Sequence, residues 1–138
     1  MNIQQLRLRK AIAPALGQFI LRAKSDTAEV LQQNQQLKAR RGVAQPLPLV
    51  VDIEVSKANQ LLIGVLRSSA SIYADQIAKG SSFNNVRTSL TLPLWARLTV
   101  VEAQISLKLA LNNPRTPAWA KEPLRLAIAL VQQALAGL

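Results

Sequence analysis

Cysteine and histidine are both absent from this 138-residue chain. Their absence removes the commonest thiol nucleophile, the commonest general base and the usual soft metal ligands. It also removes any disulfide framework, so nothing in the sequence asks for an oxidising compartment. Aromatic residues make up only 4%, which obliges any core to be built from Leu, Ile, Val and Ala. Carboxylates are scarce as well. Seven Asp and Glu stand against seventeen Lys and Arg, for a formal charge of +10 and a pI of about 11.2. No run approaches the ~18 apolar residues of a membrane span. The longest apolar stretch, Leu98 to Leu111, is broken by Glu102 and Lys108. Residues 1–10 lack the apolar core of a secretory signal, and a cytoplasmic protein is the simplest expectation.

Apolar residues nonetheless reach 49%, too many for a disordered basic tail, and the dominance of Ala and Leu favours helix. Four segments repeat a helical period. In the first, Ile12, Leu16, Phe19, Ala23, Thr27, Val30, Asn34 and Leu37 form one line. Pro14 near its start sets residues 1–12 apart as a separate turn or a kinked extension. The basic turn before Gly42 reads as its end. The second segment carries Val51, Val55, Ala58, Leu62, Val65, Ser69, Ile72 and Gln76 on one line and ends at Gly80. Helix from about Asp52 is expected there, with a short strand over Val50–Val55 as the rival. The third begins near Pro93, with Leu94, Leu98, Val101, Ile105 and Leu109 as its seam. After the turn at 112–117, Leu124, Ile128, Val131, Leu135 and Leu138 carry the fourth, with Pro123 as a place where it restarts. The expected fold is all-α: a single domain over residues 1–138, a bundle of about four amphipathic helices.

Catalytic constellations are poor. Asp52 and Glu54, two apart, project to different sides of a helix and suit its N-terminal dipole. Asp26 and Glu29 sit one turn apart among bases, as a solvated ion pair would. Ser68–Ser69 and Ser81–Ser82 have no histidine to activate them, and there is no phosphate loop and no zinc spacing. The chain is therefore read as a non-enzyme without cofactor or metal. Its charge excess points to a polyanion, most economically nucleic acid.

The expected contacts are Arg7, Arg9, Lys10, Arg22, Lys24, Lys38, Arg40, Arg41 and Arg87. Eight of them fall in residues 1–41 beside only two acids. Arg22 and Arg40, about five turns apart, share one side of the first helix, while Lys24 and Lys38 lie on the other flank of its apolar seam. Such bases grip phosphates and do not read sequence. Trp95, Phe19 and Trp119 are expected to pack, not to stack bases. Phe83–Arg87 joins two amides, an arginine and an aromatic in a loop able to meet a backbone or base edge, against the plainer reading of a polar turn with a buried Phe. A helix-turn-helix reader around 112–117 is disfavoured because the last helix has no charge beyond Arg125.

In size, charge and helical pattern, over nearly its whole length, the chain resembles the small subunit of CRISPR effector complexes of the Cascade type. The resemblance rests on no residue motif, so no functional residue is carried over. It implies a helical bundle lining the spine of a guide-RNA complex, with basic residues on displaced or target strand backbone and a role in antiviral defence. The sequence thus leads to a non-enzymatic subunit that binds RNA or DNA backbone inside a larger ribonucleoprotein, beside other subunits or further copies of itself. The rival is a structural or scaffold protein, such as a phage assembly component, that packs through its helices. Attachment to a membrane is not expected, since no aromatic-plus-basic face is evident.

Overall fold

Proline marks the start of each of the four α-helices among the described residues. The computed structural model describes residues 9–40 and 44–138. Helix α1 spans Pro14–Ala39, α2 Leu49–Ala78, α3 Leu94–Asn112 and α4 Ala118–Ala136. Pro14 occupies the first turn of α1, and Pro48, Pro93 and Pro117 are the N-caps of the other three. Their ring fixes φ near its helical value, and their carbonyls accept the first intrahelical bonds: Asp52 N–H to Pro48 O at 2.9 Å, Arg97 N–H to Pro93 O at 2.9 Å and Ala120 N–H to Pro117 O at 3.1 Å. Helix α2 therefore starts at Leu49, earlier than Asp52. Val51 and Val55 are buried on one of its faces, so Val50–Val55 is not a strand. Helix α4 runs through Pro123 without restarting. Gly80, at φ +102°, turns the chain out of α2. The expected helix end at Gly42 and the segment 1–8 lie outside the described residues.

The fold is a four-helix bundle with no strand among the described residues. Each helix runs antiparallel to the next, α1 packs most extensively on α4 and α2 on α3, and the ring closes. One continuous core contains Leu16, Ile20, Val30, Val51, Val55, Leu62, Val100, Leu107, Leu124 and Val131. Polar residues interrupt it at a few points. Asn59 Nδ2 donates to Thr27 Oγ1 at 2.8 Å and to Lys24 O at 3.2 Å, stitching α2 to α1. Asn34 Oδ1 accepts the N–H of Leu47 at 2.8 Å and holds the α1–α2 connector.

Helix α3 overturns its expected seam. Its buried face is Ala96, Val100, Ala103, Leu107 and Ala110, whereas Leu94, Leu98, Ile105 and Leu109 are 74%, 69%, 54% and 57% exposed. Alanine recurs every seventh residue on the buried side, at 96, 103 and 110. Small side chains at a helix contact shorten the interaxial distance, so the close partner takes the alanine face and the large side chains are left outside. Helix α4 repeats the pattern with Ala120, Ala127 and Ala134 buried. Leu124, Ile128 and Val131 are buried on α4 as expected, but Leu138 is exposed.

Candidate nucleic-acid interface

Residues 9–13 form an extended strap across one end of the bundle, because Pro14 disfavours helix in the residue before it. Four side chains tie the strap down. The Ile12 N–H donates to Ser69 Oγ at 2.9 Å, and Tyr73 Oη donates to Ile12 O at 3.0 Å. Trp95 Nε1 donates to Lys10 O at 2.8 Å. Gln76 does double work: Nε2 donates to Arg9 O at 3.3 Å, and Oε1 accepts the Arg87 N–H at 2.9 Å. The Ala11 N–H completes the join by donating to Arg87 O at 2.9 Å.

The strap and the loop around Arg87 thus run side by side, which brings the backbones of Arg9, Lys10 and Arg87 to one corner. Arg9 is half-buried, its guanidinium 4.9 Å from the centroid of the Trp95 ring, a cation–π contact that fixes its position. Lys10 and Arg87 are exposed. Beside them Phe83 stacks on Tyr73 with ring centroids 5.0 Å apart. Phe83 is not the buried residue of its loop: it is 58% exposed, and Val86 is buried instead. A groove of about 370 Å³, lined by Ile12, Leu21, Leu66, Tyr73 and Phe83, adjoins the corner.

The other expected contacts lie elsewhere. Arg22 and Arg40 are both exposed on α1 and just past its end. Lys24 is half-buried on the side that faces α2, and Lys38 Nζ lies 3.1 Å from Asp52 Oδ2. Arg40 is the extended C-cap of α1, so the helical period does not set it on the side of Arg22, and the 26 residues of the helix separate its ends by about 39 Å. The bases make a corner and a dispersed field, not one patch. Arg7 and Arg41 lie outside the described residues.

Acids offset little of this field. Asp52, Glu102, Asp75 and Glu122 are paired with Lys38, Lys57, Lys79 and Arg125. Among the described residues, every other base lacks a carboxylate within 4.0 Å. These include Arg67, Arg97, Lys108, Arg115 and Lys121, which the sequence reasoning did not nominate. Asp26 is not ion-paired within that distance. Partial burial pushes its pKa up, the Glu29 charge adds to the rise, and Arg22 opposes it.

No cluster of three metal-binding side chains occurs among the described residues. Ser69 is buried and occupied by the strap, and Asp52 is occupied by Lys38. Among the described residues, no helix is long and apolar enough to cross a membrane. No protein-family model, curated protein or solved structure matches the chain.

Proposed function

We infer that the chain is a non-enzymatic helical subunit that binds nucleic-acid backbone within a larger assembly. The observation that carries this reading is the corner of Arg9, Lys10 and Arg87 beside the exposed ring of Phe83, set in a +10 field that few carboxylates offset. The corner grips phosphate, the dispersed bases of α1 raise the local concentration of a polyanion, and Phe83 offers one face to an unpaired base. A CRISPR effector complex is the assembly that the likeness in size, charge and helicity suggests.

The test is a salt titration of fluorescent-oligonucleotide anisotropy on single-stranded RNA, single-stranded DNA and duplex. With about five phosphates neutralised, log K falls against log salt with a slope near −3.5 on single strands and −4.5 on B-DNA. Reversing Arg9, Lys10 and Arg87 together lowers affinity and flattens the slope. Reversing Arg22, Lys24, Arg40 and Arg41 together flattens it too, while each alone has a small effect. Negligible binding at about 50 mM salt leaves the scaffold reading, which the uncovered face of α3 favours.

A further inference from the structure

Helix α3 carries a second apolar face that the bundle leaves uncovered. Leu94, Leu98, Ile105 and Leu109 recur with helical spacing and are each more than half exposed, and half-buried Val101 completes the line. The stripe rises about 22 Å, four turns of helix. It also continues onto α2. Lys57 Nζ lies 3.4 Å from Glu102 Oε1, and in an antiparallel pair this register sets Val50, 63% exposed, level with Leu109. A soluble surface seldom leaves so long an apolar line open unless something covers it.

The two edges of the stripe differ in charge. On one side Glu102 is held by Lys57 and the edge is neutral. On the other, Arg97 and Lys108 lie on one face of α3, exposed and without a carboxylate within 4.0 Å. Arg97 Nη1 donates to Leu135 O at 3.2 Å. That antiparallel register puts Lys108 level with the early turns of α4, where Lys121 and Arg125 lie.

We propose that the stripe Leu94–Leu98–Val101–Ile105–Leu109 docks an amphipathic α-helix of another protein, whose acidic residues lie along the Arg97–Lys108 edge. A helix fits because the three-and-four spacing presents ridges that interdigitate with those of a second helix crossing at a shallow angle. A second copy fits less well. Antiparallel pairing would set Leu94 on Leu109 and Leu98 on Ile105, but it would lay the Arg97–Lys108 edge against its own image, between chains of charge +10 each. Parallel pairing would call on Glu102, which Lys57 already holds. An acidic edge on the partner meets both objections. The stripe itself is uncharged, so replacing its leucine and isoleucine side chains leaves every base of the nucleic-acid reading in place.

The experiment uses the full chain and two synthetic helical peptides of about 18 residues, five turns. Each has leucine at the matching stripe positions. One has glutamate along the edge that meets Arg97 and Lys108, and the other has lysine. Binding is read by anisotropy at about 150 mM salt, where distant charges are screened. The glutamate peptide binds in the micromolar range and the lysine peptide about tenfold more weakly or worse. The double variant Leu98→Ser/Ile105→Ser keeps every charge, its circular dichroism and its nucleic-acid titration, yet loses about tenfold or more for the glutamate peptide. Arg97→Glu/Lys108→Glu reverses the preference between peptides. Four results overturn the proposal: equal affinity for both peptides, no loss in the serine variant, no binding below about 1 mM, or a stripe-dependent dimer in light scattering. Stripe-dependent sedimentation with phosphatidylserine vesicles also overturns it, and assigns the face to a lipid surface.

Discussion

Leu107 and Leu109 stand two residues apart on α3 and meet opposite surroundings, the first fully buried and the second 57% exposed. Truncating the same side chain at the two positions separates core from docking face. Leu107→Ala removes packing that the bundle cannot fully recover and costs about 2–5 kcal/mol. Leu109→Ala changes stability by about 0.5 kcal/mol or less. Urea unfolding followed by circular dichroism measures both. Equal costs would mean that Leu109 is covered in the isolated chain.

Gln76 is the joint on which the cationic corner turns. Gln76→Leu keeps the volume and charge of the chain but leaves the Arg9 carbonyl and the Arg87 N–H without their partner. Orphaned groups that are fully buried cost about 1–3 kcal/mol, and these part-buried ones cost less, so the melting temperature falls modestly. At a temperature where the variant is folded, oligonucleotide affinity also falls, although no base has been removed. Unchanged affinity would show that the corner acts through net charge and not through its arrangement.

Asp26 gives the chain one carboxylate that folding disfavours in its charged form. Its folded pKa lies above the unfolded value near 3.8, because of burial first and Glu29 second. The folded state therefore binds this proton more tightly, and the contribution of Asp26 to stability is full below the unfolded pKa and lost as pH rises through the folded one. Asp26→Asn accordingly stabilises the protein at pH 7, by about 0.5 kcal/mol or less given the partial exposure. The advantage disappears as the pH is lowered through the carboxylate range. Paired melts of the variant and the parent at several pH values check the sign.

The four helices were legible in the sequence because prolines, Gly80 and the helical period agree at their boundaries. The orientation of α3 was not. Two apolar stripes run along that helix, one of large residues and one centred on Ala96, Ala103 and Ala110, and hydropathy ranks the large one first. Packing chose the small one, since close approach of a neighbour favours alanine at the contact. On α1 the bases Arg22, Lys24 and Lys38 are related by one helix, whereas Arg40 lies just past its end in extended backbone. The corner was not legible, because Arg87 reaches the strap only through contacts remote in sequence. Its trace in the chain is the pair Ser69 and Gln76, polar residues in an otherwise apolar line, which need partners once buried.

The strap also imposes an order in time. The Trp95 indole reaches Lys10 across 85 positions of sequence, and Gln76 reaches Arg9 across 67. A nascent chain that has not yet released α3 owns the charges of the corner without its shape. The shape of the corner, unlike its charge, therefore depends on contacts far apart in sequence.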